Sequence, residues 1–208
     1  MKFLVALVAS LIFSAAAVAL PANGLAPDAL IKSISSEVID IVKADKEIQS
    51  GNAKKAAELV DKKVAPHFDF MRMTRLALGR EWRQANAGQQ KVLANEFQTL
   101  LVRTYSKALT EYKNQIVDVK PLALKAADTD VKVRSEIKQS GAKAIQLDYY
   151  LQKTNDSWKI YDIEVAGISL VTNYRESFSN EVRSSGIDGL IKVLQAKNKS
   201  GDTVAVKK

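Results

Sequence analysis

Apolar residues along the first half of the chain recur at steps of three and four, the spacing of a single helix face. Asp28, after Pro27, is placed to open a helix reaching about Lys46, with Leu30, Ile34, Val38, Ile41 and Val42 on one side. Asn52 is a natural N-cap for a second helix, which Pro66 ends or kinks because proline disfavours helical backbone in the residue before it. Asp69 opens a short third helix, and Gly79 interrupts it. The longest helix is expected from about Ala87 to Tyr112. Leu93, Phe97, Leu100, Leu101, Tyr105, Ala108, Leu109 and Tyr112 form two adjoining apolar rows along it.

Beyond Tyr112 the period drops to two. Strands are expected over 114–122, 131–138, 145–152 and 158–165, with Pro121 marking the first as edge-like or ending there. Ser140-Gly141 and Asn155-Asp156 supply turns, and such short connections imply an antiparallel meander. Helices resume over 170–183 and 187–197, parted by Ser185-Gly186. Helices, then an antiparallel meander of four strands or slightly more, then helices again define an α+β fold. One sheet face is apolar and needs covering by the long helix and the C-terminal helices; the other is rich in Lys, Gln and Asp.

The N-terminus changes the setting. Met1-Lys2, the apolar run Phe3 to Phe13 and the Ala17-Val18-Ala19 site read as a signal peptide over 1–19, cut as late as 26. The run is short of the roughly 20 apolar residues that span a bilayer. A single domain over 20–197 and a basic tail over 198–208 remain. With 47% hydrophobic and 26% charged residues the composition is ordinary for a globular protein. The absence of cysteine removes disulfides, thiolate metal sites and cysteine nucleophiles. A formal charge of +8, or +7 without Lys2, favours phosphate-bearing partners, and export turns that preference from nucleic acid towards anionic lipid headgroups. Much of the charge lies between Lys192 and Lys208, where a solvated chain end explains it as well.

Candidate chemistry is sparse. His67 is the single histidine, so it cannot anchor an ordinary zinc site. Ser169 sits in Gly167-Ile168-Ser169-Leu170-Val171, which lacks the second glycine of a nucleophile elbow. No Gly-rich phosphate loop occurs. Arg72, Arg75, Arg80 and Arg83 surround Trp82 without a groove-reading motif and read as structural or surface arginines. Pattern alone leaves an exported α+β protein that is either a ligand binder or an enzyme.

Two longer motifs go further. Val64-Ala65-Pro66-His67-Phe68-Asp69-Phe70 leads through Met73 to Leu78-Gly79-Arg80-Glu81-Trp82-Arg83, with Gln90, Phe97, Leu101 and Tyr105 beyond. Trp158-Lys159-Ile160-Tyr161-Asp162-Ile163 is followed by Gly167-Ile168-Ser169-Leu170-Val171-Thr172-Asn173-Tyr174-Arg175 and Phe178. In this order and spacing they closely resemble the MlaC, or toluene-tolerance auxiliary, family over residues 27–197. The resemblance implies a nuclear-transport-factor-2-like sheet wrapped by helices, with an acyl-chain cavity between them. It further implies a periplasmic phospholipid carrier of the Mla pathway, without catalytic residues, cofactor or metal. Its implied partners are an MCE-domain ring on an inner-membrane ABC transporter and an outer-membrane lipoprotein complexed to a porin. From the apolar pattern beside the second motif, the expected cavity lining is Leu101, Tyr105, Leu109, Leu147, Tyr149, Tyr161, Ile163, Ile168, Leu170, Val171 and Tyr174. Arg175 is the candidate for meeting a headgroup.

Overall fold

The computed structural model describes residues 24–155 and 157–200; the expected signal peptide and residues 201–208 of the expected tail lie outside the described residues. Helix α1 spans Pro27–Ala44, with proline at the position where a missing N–H costs nothing. Asp28 does not cap it. Its carboxylate accepts the Leu122 N–H at 3.1 Å, tying the first turn to the chain beyond the first strand. The next three helices start where side-chain caps dictate. Asp45 accepts from Glu47 and Ile48 to open α2 (Lys46–Gln49), Asn52 accepts from Lys55 to open α3 (Ala53–Lys63), and Asp69 accepts from Arg72 to open α4 (Phe70–Leu78). Gly79 ends α4 at φ 60°, ψ −117°, and a 3-10 turn follows over Gly79–Gln84. A reciprocal capping box of Asn86 and Gln89 launches α5 (Ala87–Ser106). The helix expected to reach Tyr112 tightens after Ser106 into a 3-10 turn over Lys107–Glu111.

The sheet holds five strands in the order β1 (Ile116–Val119), β2 (Asp130–Lys138), β3 (Ile145–Lys153), β4 (Trp158–Val165) and β5 (Ile168–Ser169), all neighbours antiparallel. Five strands agree with the expected sheet of four or slightly more, and β5, at two residues, is too short to show alternation in the sequence. Cross-strand partners share a face, so Val133, Tyr149 and Ile163 form one apolar row and Ser135, Leu147 and Val165 the next. On the other face Lys132 pairs with Asp148 (2.7 Å) and Glu164 (3.1 Å), and Asp118 with Lys120 and Lys138. The β3–β4 register slips between Tyr150↔Asp162 and Leu151↔Ile160, which leaves Tyr161 as the extra residue of a bulge.

Helix α6 spans Leu170–Ser200 and is broken at Gly186. Asp162 anchors its start, accepting from the Val171 N–H at 3.2 Å and the Ser169 hydroxyl at 2.5 Å. The break falls where the sequence parts two helices. The second half runs three residues past 197, and the Asn198 amide donates to the Glu96 carbonyl (2.9 Å) and carboxylate (2.7 Å). Gly186 lies at φ 71°, ψ −177°, a region open essentially to glycine alone. Gly186→Ala is therefore expected to destabilise the fold by about 1–3 kcal/mol, although a Cβ there would meet no neighbour within 4 Å. Urea denaturation would show it; an unchanged midpoint would mean that the break relaxes freely.

The buried side chains form three clusters. A helical core joins α4, α5 and α6 around Met73, Leu93, Phe97, Tyr174, Phe178 and Leu190. A sheet core joins Ile31 of α1 to Val133, Leu151, Trp158 and Ile160. An N-terminal core joins Val38, Val42, Ile48, Ala56 and Leu59, with Leu109 and Tyr112 packed against it.

Candidate ligand cavity

Where the three clusters converge, packing leaves a cavity of about 270 Å³. Its walls come from Val38 of α1, Val60 of α3, Val64, Ala65 and Phe68, Phe70 and Met73 of α4, Leu101, Val102, Tyr105 and Ser106 of α5, Leu109, Leu147 of β3, Ile163 of β4 and Leu170 of α6. Only Tyr105 and Ser106 bring polar side-chain atoms. The segment 64–70 reaches this place because it is pinned to β4: the Asp69 N–H donates to the Ile160 carbonyl at 2.8 Å and Lys159 Nζ to the Pro66 carbonyl at 2.5 Å. The two sequence motifs thus meet, one supplying Phe68 and Phe70, stacked at 5.6 Å, and the other Ile163.

Six of the eleven expected lining residues come together here: Leu101, Tyr105, Leu109, Leu147, Ile163 and Leu170. The structure places the other five elsewhere. Tyr149 packs against the sheet core, where burial pushes its hydroxyl pKa up to about 12. Tyr161, displaced by the bulge, lies under the Arg72 guanidinium, 3.5 Å from its ring centre. Ile168 is half exposed in β5, while Val171 and Tyr174 are buried in the helical core. Arg175 donates to the Leu76 carbonyl at 3.0 Å and so ties α6 to α4. Sequence reasoning missed the stretch from Val60 to Met73, together with Val38, Val102 and Ser106, although residues 64–70 were the heart of the first motif.

The Tyr105 hydroxyl is buried and adjoins that of Tyr174, which also adjoins Thr104. None of the three is aligned into a hydrogen bond of ordinary geometry, and burial raises the pKa of both tyrosines. They stay neutral and able to donate. Arg72 is engaged by Asp130 (2.9 Å) and Gln152, which removes it from any open arginine surface. His67 is half-buried in the 3-10 turn Ala65–His67, and burial, then Lys159, hold its pKa below the usual range. Among the described residues no group of three or more His, Cys, Asp or Glu could hold a metal ion, and no helix is long and apolar enough to cross a membrane.

An antiparallel sheet, helices over its apolar face and an apolar space between them define the class: an α+β protein with a nonpolar cavity between sheet and helices. Within that class the chain belongs to the MlaC family, whose model, described as MlaC protein, matches residues 32–196. The chain is 29% identical over 121 residues to the intermembrane phospholipid transport system binding protein MlaC of Haemophilus influenzae, a match spanning 57% of this chain but only 56% of that protein. It is 23% identical over 164 residues to the toluene tolerance protein ttg2D of Pseudomonas putida, covering 78% of this chain and 75% of the other. A phospholipid-binding protein from Ralstonia solanacearum, solved in complex with a phospholipid, shares the fold with a TM-score of 0.77 and 37% identity, covering 84% of this chain and 97% of that one.

Proposed function

We propose that this chain is a periplasmic phospholipid carrier that shelters acyl chains in the cavity and shuttles lipid between the outer and inner membranes, maintaining outer-membrane lipid asymmetry. The observation that carries the reading is the lining, fifteen residues of which two have polar side-chain atoms. Relatives described as phospholipid-binding or phospholipid-transporting support it. On this reading the protein catalyses no reaction and uses no cofactor. It receives and delivers lipid at an MCE-domain ring of an inner-membrane ABC transporter and at an outer-membrane lipoprotein–porin complex.

Size and energy shape the mechanism. If a methylene takes about the volume of a water molecule, ~30 Å³, the cavity of about 270 Å³ holds roughly nine of them. A two-chain lipid brings many more, so loading has to widen the space by parting the elements around it. Sheltering roughly 28 methylenes from water is worth on the order of 20 kcal/mol at about 0.8 each. In a bilayer those chains are already sheltered, so the net driving force for extraction is small. Neither loading nor release is then prohibitive, and direction comes from partners.

Native mass spectrometry of the mature protein, followed by organic extraction, tests the reading. The expected result is phospholipid near one per protein, released on unfolding. A clean protein mass, unchanged after incubation with phospholipid vesicles, would overturn it.

A further inference from the structure

We infer that the groove between α3, the last turns of α5 and the end of α6 seats the phosphate-bearing head of a lipid whose chains occupy the cavity; the inference rests on the acyl-chain reading above. The groove has a volume of about 790 Å³. Lys54, Arg103, Lys107 and Lys197 line it, and none of these four side chains makes an ion pair or hydrogen bond among the described residues. Two carboxylates share the groove, Glu58 and Asp61, and Asp61 already accepts from the Gln98 amide at 3.0 Å. Unpaired like charges gathered in one concavity raise a positive potential that a phosphate relieves.

Position supplies the second observation. Val102 and Ser106 line both the groove and the cavity, so a cationic space and a nonpolar one adjoin along α5. Charged head and nonpolar chains meet in the same sequence along a phospholipid. At their junction Thr104 lines the groove and Tyr105 the cavity, and both hydroxyls are buried beside that of Tyr174. Arg175, the sequence candidate for this task, is held instead by the Leu76 carbonyl.

The test compares Arg103→Gln/Lys107→Gln with Arg75→Gln/Arg83→Gln, which removes the same charge from an exposed surface away from the groove. Each is incubated with zwitterionic phosphatidylethanolamine vesicles, which exert no net attraction, and with the same vesicles doped with phosphate-free diacylglycerol. Bound lipid is counted by native mass spectrometry. The groove variant is expected to load at least fivefold less phosphatidylethanolamine than wild type and undiminished diacylglycerol, with the control variant like wild type. Equal phospholipid loading by both variants, or a matching fall in diacylglycerol, would overturn the assignment of the groove. Free glycerol phosphate binding as tightly as the lipid would overturn the lipid-head assignment in favour of a soluble phosphate site. Wild-type protein that loads neither lipid would instead overturn the acyl-chain reading, and this inference with it.

Discussion

Val60→Phe combined with Leu147→Phe is expected to cut lipid loading at least tenfold while leaving the folded protein about as stable as before. The two residues face the cavity from α3 and β3, and each position receives a larger ring. Two stability effects oppose each other. Void volume costs about 24 cal/mol per Å³, so closing a third of a cavity of about 270 Å³ returns about 2 kcal/mol. Overpacking strain typically takes back about 1–3 kcal/mol. Near-cancellation follows, because both side chains are only half-buried and can tilt. Loading has no such offset, since the ring atoms stand where the methylenes would. Thermal denaturation of lipid-free protein and lipid counting by native mass spectrometry separate the two effects. Full lipid content at unchanged stability would place the acyl chains somewhere other than this cavity.

That prediction draws on residues the sequence treats unequally, and the reason is physical. Caps and periods are local, so the starts of α3 and α4 are legible from Asn52 and Asp69, that of α5 from its apolar period, and the alternation in β2 to β4 from the strand pattern. Whether an inward-facing position meets another side chain or a space is not local. Leu170 and Val171 are neighbours with equal apolar character, yet Leu170 lines the cavity and Val171 packs into the helical core with Phe97, Tyr174 and Phe178. A charge at Val171 would therefore report on folding before it reported on lipid. Tyr161 lies away from the cavity for a different reason. By alternation it shares a face with Ile163, but the slipped register of β4 removes it from that row and sets it beneath Arg72. Val60 to Met73 carry no local mark of a cavity, because the partners that leave a gap beside them, Leu147 and Ile163, lie far along the chain.

Phe97→Ala is expected to remove about 3–5 kcal/mol of folding stability, the usual cost of deleting a fully buried aromatic ring. Phe97 is 0% exposed, and its ring meets Tyr174 edge-on at 5.1 Å and Phe178 at 5.2 Å. Such aromatic pairs add about 0.5–1.5 kcal/mol beyond the area they bury. Against a typical total of about 5–15 kcal/mol, the loss leaves a protein that folds but unfolds early in urea. The same ring helps to hold the helical core that backs the cavity, because Leu101, one turn along α5, belongs to both. Lipid bound only by the folded state adds about 2.7 kcal/mol at a hundredfold excess over its dissociation constant. The variant should thus regain much of its lost midpoint when loaded, provided the cavity survives the softer core. Urea titrations with and without phospholipid check both halves of the argument. A loss below about 1.5 kcal/mol would mean that Tyr174 and Phe178 collapse into the space, since the cost of a deletion depends on how well its surroundings close. A full loss that lipid does not restore would mean that Phe97 shapes the cavity as well as the core.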